Sequence, residues 1–132
     1  MTLSIVDFLN ARLAEDQTAA EAATPGPWND DGGCISSAHY QITDYGAYTK
    51  ANGEPEDWEE QQQRADSAFI ARHDPARVIR EVAAKRAIIE AVSGLSGQWH
   101  DDIEYKVLTS MAEAWRDHPD HPGEWDYEED DD

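Results

Sequence analysis

The sequence predicts a mainly helical α+β domain: three or four helices, with a short antiparallel β-hairpin between the first and second. Three observations predict it. Apolar residues recur at helical spacing in the runs that begin near Ile5, Val78 and Ile103. Prolines and capping residues punctuate those runs at Pro25, at Asp74-Pro75 and at Ser93-Gly94. From Asn29 to Gly53 the pattern changes to turn residues and short alternating segments.

Ser4 opens the first helix, and Asp7 follows at capping-box spacing. Ile5, Leu9, Leu13 and Ala20 then fall near one face, which predicts a helix over 5–22. Pro25 pushes Thr24 out of helical dihedrals and ends it. In "ATPGPW" the two prolines stiffen the exit, Gly26 allows the bend, and Trp28 turns inward as a plug in the core. Next, "NDDGG" forms a turn. "CISSAHYQIT" places Tyr40 and Ile42 at strand spacing, and "AYTK" answers it across a turn at Asp44 to Gly46. Asn52-Gly53 is a second turn signal. A lone hairpin is marginal in water, so it must lie against helices.

Pro55 suits the first turn of a second helix, which runs from Glu56 to His73. Its acidic start suits the positive end of the helix dipole. Ala65, Ala68, Phe69 and Ile70 gather apolar surface near its end. Asp74 caps the next helix and Pro75 takes its first position. Val78, Val82, Ile89 and Val92 form its stripe, widened by Ile79 and Ile88. Glu81 precedes Lys85 by four, the favourable order for a surface pair. The last helix spans roughly Asp101 to Arg116, with Ile103, Val107, Met111 and Trp115 every four residues. The predicted core is Trp28, Phe69, Ile79, Val82, Ile89, Val107 and Met111.

Length suits one small globular domain over 1–123, followed by an acidic disordered tail over 124–132. The formal charge is −19, and the body stays at −12 without the tail. Such a field repels nucleic acid and anionic membranes and attracts basic proteins. Six of the ten basic residues, Arg64, Arg72, Arg77, Arg80, Lys85 and Arg86, make a local positive stripe. It reads as a ligand site or as internal ion pairs. Cys34 is the single cysteine, so no intramolecular disulfide forms, and a reducing compartment fits. No signal peptide and no apolar run of membrane-span length is visible, so a cytoplasmic location is the expectation.

Two function classes compete. In the first, the chain is a non-catalytic protein that binds a partner with a basic surface. Glu54, Glu56, Asp57, Glu59 and Glu60 surround Trp58, and Trp125 borders the acidic tail. Aromatics among carboxylates supply an anchor with long-range steering. In the second, His73 beside Asp74 acts as a general base, or a metal takes ligands from Cys34, His39, His73, His100, His118 and His121, the last two three apart in "DHPDHP". Against a metal, no CxxC or HExxH occurs, and proline follows both histidines. No nucleophile elbow, phosphate loop or dinucleotide fingerprint is present. The residues therefore favour the binding class, with no cofactor and no metal. They leave the oligomeric state open.

Three stretches, "IVDFLNARLAEDQTAAEAATPGPW", "ADSAFIARHDPARVIREVAAKRAIIE" and "DHPDHPGEW", resemble a family of small actinobacterial and actinophage proteins catalogued only as a domain of unknown function. They cover about 60 of the 132 residues. The Phe-Ile-Ala-Arg-His-Asp-Pro run is the most specific of them. More loosely, "ATPGPW" paired with "ADSAFIA" resembles a set of short phage accessory proteins. The resemblance implies origin and approximate architecture and transfers no catalytic residue.

Overall fold

A computed structural model of the chain describes residues 4–38, 41–44, 58–95 and 100–125, with the backbone alone at Asp44, Trp58, Glu59 and His100. Four helices occur among them: α1 (Ile5–Ala22), α2 (Trp58–Arg72), α3 (Pro75–Ser93) and α4 (His100–Ala112), with a 3₁₀ turn at Glu113–Trp115. Three strands, β1 (Asn29–Asp30), β2 (Cys34–Ser36) and β3 (Gln41–Asp44), form an antiparallel sheet between α1 and α2. The chain is therefore mainly helical α+β. None of the described helices is long and apolar enough to cross a membrane.

The chain divides into two compact units, Met1–Asp16 with Val82–Asp132, and Gln17–Glu81. In the first, the buried apolar side chains are Phe8, Leu9, Leu13, Val82, Ile89, Val92, Leu108 and Ala112, drawn from α1, α3 and α4. Ser4 caps α1 as the sequence predicts: its Oγ accepts the Asp7 N–H at 3.1 Å. The α4 stripe is rotated from the expected one. Leu108 and Ala112 are buried, Val107 and Met111 are half-buried, and Ile103 is exposed. Steps of four residues drift about 40° each around a helix, so Ile103, Val107, Met111 and Trp115 cannot share one face.

In the second unit, α2 packs on β1 and β2. β1 pairs with β2 through Asn29–Ser36 and Asp30–Ile35. The connection is tight, closed by the Asp31 N–H to the Cys34 carbonyl at 2.8 Å. Gly32 has φ +76° there, a conformation that a side chain disfavours. β3 pairs with β2; "AYTK", the predicted partner of this segment, lies outside the described residues. Its register passes from Thr43 opposite Ile35 to Gln41 opposite Ser36, which leaves Ile42 as the extra residue of a bulge. "NDDGG" is thus the turn inside the sheet, not a preface to it. Ile35 is fully buried.

Beside the half-buried Val107 and Met111, three further predicted core residues are placed otherwise. Phe69 is 64% exposed, Ile79 is 38% exposed, and Trp28 is half-buried. The face that α2 turns inward is polar instead. Ser67 is fully buried, and its Oγ donates to Asp30 Oδ1 at 2.8 Å and lies 3.3 Å from the Cys34 carbonyl. A sheet that offers a carboxylate from β1 and a carbonyl from β2 is met by a hydroxyl, not by a phenyl ring.

Candidate functional site

The "RHDP" corner is built around a buried carboxylate. Asp74 is 8% exposed at the start of α3. Its Oδ1 accepts the Arg77 N–H at 2.9 Å, three residues on, and its carbonyl accepts the Val78 N–H. That is N-cap geometry, as the sequence predicts. Asp74 Oδ2 reaches further in sequence and accepts the Trp28 N–H at 3.0 Å. One carboxylate thus ties the "ATPGPW" loop to the first turn of α3. Gly26 permits the approach: a Cβ there would stand 2.6 Å from Asp74 Oδ2 and 3.1 Å from the Ala76 Cβ. The Gly26–Pro27 peptide is cis. The Trp28 indole closes on its own loop, with Nε1 donating to the Thr24 carbonyl at 2.9 Å.

His73 does not share this carboxylate's two protein bonds. It is exposed, and its ring lies 4.5 Å from that of Phe69. The group that would orient His73 as a base is directed to Trp28 and Arg77. Arg77 lies against Glu81 and the Arg72 carbonyl, at 2.9 and 3.1 Å.

The "DHPDHPGEW" segment forms a second constellation with the start of α1. Phe8 is its centre. The rings of His118, His121 and Trp125 surround it at 5.9, 5.5 and 5.2 Å, the two histidines nearly perpendicular to it. Arg12, one helical turn on, places its guanidinium 5.2 Å from the Phe8 ring centre. Arg12 is only 5% exposed. Its Nη2 donates to Glu15 at 2.9 Å, and its Nη1 lies against the His118 ring and 3.5 Å from Asp120. The buried cation thus has two carboxylate partners and an aromatic face.

Each histidine also folds its own segment. His118 Nδ1 accepts the Asp120 N–H, and His121 Nδ1 accepts the Gly123 N–H, both at 3.0 Å. These two-residue loops make each imidazole a local turn-former, comparable with an Asx turn. The Tyr105 hydroxyl donates to the Trp125 carbonyl at 3.0 Å and fixes the end of the segment on α4. Among the described residues, no group of three His, Cys, Asp or Glu side chains is placed to hold a metal ion.

Other titratable groups are nearby in the same unit. Asp16 has its carboxyl pushed above the ordinary value by burial, reinforced by Glu15 and opposed by Lys85 and Arg12. Lys85 Nζ lies 5.6 Å from the Trp115 ring centre.

The expected partner-binding residues divide into three groups. Glu54, Glu56 and Asp57 lie outside the described residues, as do the side chains of Trp58 and Glu59. Glu60 is a correction: it is 7% exposed, and it lies seven residues, two helical turns, before Ser67, which meets the sheet. Trp125, placed by the sequence at the edge of a tail, is half-buried on Phe8 and His121. His39 and the His100 side chain lie outside the described residues. Cys34 is half-buried in β2. Arg12, Phe8 and Ser67 were not singled out by sequence. The signal for the first two was the four-residue spacing of Phe8 and Arg12, which lie together on a helix face.

A family model described as a family of unknown function, DUF6221, matches residues 2–127. The chain belongs to the DUF6221 family. That span takes in both constellations, the Asp74 corner and the Phe8–Arg12 cluster. No curated protein and no solved structure matches this DUF6221 chain.

Proposed function

We propose that this DUF6221 protein is a small non-catalytic accessory protein that binds a protein partner with a basic surface. The excess of carboxylates carries this reading. The chain has 29 acidic and 10 basic residues. Several of the cations already face carboxylates of the same chain: Arg12 with Glu15 and Asp120, Arg77 with Glu81, and Arg116 with Glu113. The surplus is left to steer a cationic partner. Glu54, Glu56, Asp57 and Glu59 around Trp58, together with the acidic run after Trp125, are the proposed contacts. Glu60 is left out because it is buried. One form of such binding is occupation of a nucleic-acid-binding surface on the partner. The proposed setting is the cytoplasm of an actinobacterium or of a cell infected by its phage.

The geometry gives less support to the histidine or metal-dependent enzyme. Asp74 holds two backbone N–H groups, and His118 and His121 each hold one. The test is affinity capture from an actinobacterial lysate at low and moderate salt. The bait is the full chain beside its Glu56→Gln/Asp57→Asn/Glu59→Gln variant. A basic protein retained by the first, released by salt and lost with the variant is the expected result. Equal retention by both, or no salt-sensitive partner, overturns the proposal.

A further inference from the structure

The outward face of α2 has a self-complementary pattern. Its inward face, with Glu60 and Ser67, is buried on the sheet side. Its exposed residues include Gln62, Ala65, Asp66, Phe69 and Arg72, followed by His73 just beyond the helix. These positions recur at three- and four-residue spacing, so they form one stripe. Phe69 sits in its middle and is 64% exposed, the most exposed of the large apolar side chains described. The His73 ring, at 4.5 Å, extends the aromatic surface. Asp66 accepts the Gln62 amide N–H at 3.1 Å on the same stripe.

Asp66 precedes Phe69 by three residues, and Arg72 follows it by three. Three residues of helix rise about 4.5 Å. A two-fold axis through Phe69 therefore brings Asp66 of one helix level with Arg72 of an antiparallel copy, and the reverse. Ala65, four residues before Phe69, is similarly brought level with His73, four residues after it. A small side chain then faces a ring, which leaves room for the helices to approach. A parallel arrangement would set Asp66 against Asp66 and Arg72 against Arg72, which is repulsive. Isologous pairing requires this reciprocity of contacts.

We propose that this face of α2 is a homodimer interface, with the two helices antiparallel, Phe69 at the centre, and two Asp66–Arg72 ion pairs beside it. The occupant is a second copy of the chain because the stripe complements its own charges. The interface does not depend on the acidic contacts assigned to a basic partner. Two chains of charge −19 repel one another at long range, so association requires screening. At about 0.15 M salt the screening length is about 8 Å, shorter than the distance between most charges of two such chains. Dimerisation therefore strengthens from low to physiological salt.

Sedimentation velocity of the full chain, from micromolar to submillimolar concentration, tests the proposal. The expected result is a monomer–dimer equilibrium that favours dimer as salt rises to about 0.15 M. Phe69→Ala weakens dimerisation about tenfold or more, with an unchanged far-UV spectrum. Asp66→Arg and Arg72→Asp are each monomeric alone. An equimolar mixture of the two forms a heterodimer, and the double variant Asp66→Arg/Arg72→Asp self-associates again. A wild-type chain that stays monomeric throughout overturns the proposal. So does dimerisation unaffected by Phe69→Ala. Failure of the mixture to associate, with both variants folded, overturns it as well.

Discussion

Removing the Asp74 carboxylate tests whether one residue joins the "ATPGPW" loop to α3. In Asp74→Ala two backbone donors lose their acceptor, the Arg77 N–H and the Trp28 N–H. Loss of a helix N-cap costs about 1 kcal/mol, within a range of about 0.5–2. A hydrogen bond to a charged acceptor contributes about 1.5–3 kcal/mol. The two together predict a loss of about 2–5 kcal/mol, large against a typical total of about 5–15. Asp74→Ser separates the parts. A hydroxyl caps the helix, but it is shorter than the carboxylate and has a single oxygen for two donors, so this variant loses the Trp28 arm alone and costs about 1.5–3 kcal/mol. Gly26→Ala drives a methyl to 2.6 Å from Asp74 Oδ2 and costs about 1–3 kcal/mol. That cost shrinks in an Asp74→Ala background, because the atom it strikes is gone. Urea unfolding followed by far-UV circular dichroism measures all four variants. An Asp74→Ala chain within about 0.5 kcal/mol of wild type refutes the bridging role. An Asp74→Ser chain as stable as wild type removes the Trp28 arm, and a fully additive Gly26→Ala/Asp74→Ala pair removes the contact.

Further outcomes follow from the same structure. Phe8→Ala, at a fully buried ring, costs about 3–5 kcal/mol in urea unfolding of the full chain, and Phe69→Ala at matched concentration costs far less in the monomer. Ser67→Ala removes the hydroxyl that donates to Asp30, an exposed carboxylate that still accepts the Gly32 N–H, and costs about 0.5–1.5 kcal/mol, read from the same unfolding curves. Burial raises the Asp16 carboxyl in the folded state, so the native chain holds that proton more tightly than the unfolded chain. Its contribution to stability therefore falls as pH rises from about 3.8 through the raised value. Asp16→Asn is accordingly more stable than wild type at neutral pH, and the gain disappears in acid; a gain that grows in acid contradicts the assignment.

The fold was legible where a local signal and tertiary packing agreed. Ser4 and Asp74 cap helices because a short polar side chain before an apolar periodic run has few better uses. Leu9, Leu13, Val82, Ile89 and Val92 are buried because their spacing matches the helical period. The misplacements share one cause: an apolar residue marks surface that can be buried, not the direction its helix will face. Phe69 and Ile79 lie in good helices, yet the α2 side that meets the sheet is chosen by Ser67, which can satisfy Asp30 and the Cys34 carbonyl. A fully buried Ser67 hydroxyl left without an acceptor would cost about as much as burying a phenyl ring gains. A polar match can therefore set the rotation of a helix that its apolar residues leave undecided. The β3 register was illegible for a related reason, since the bulge at Ile42 shifts the strand by one residue and reverses the alternation on which a strand reading depends.

His118 and His121 drew attention as ligands because of their element type and spacing. Neither property reveals that a backbone N–H two residues downstream faces each Nδ1. Proline after each histidine favours such a turn, since it fixes the backbone between the ring and the N–H that the ring accepts. What the pattern could not disclose is the far partner. Arg12 lies 106 residues before His118, and its spacing from Phe8 places the two on one helix face without revealing what covers them. The burial follows from Phe8, because a ring one turn away gives the guanidinium a face, while Glu15 and Asp120 give it charge partners. An acidic chain can hold a buried arginine readily, since carboxylates are abundant wherever its guanidinium emerges. The acidity that suggests a basic partner outside also stabilises this one cation within. A charge-neutralising change at Glu15 or Asp120 should therefore be judged first by its effect on folding, and only then by its effect on binding.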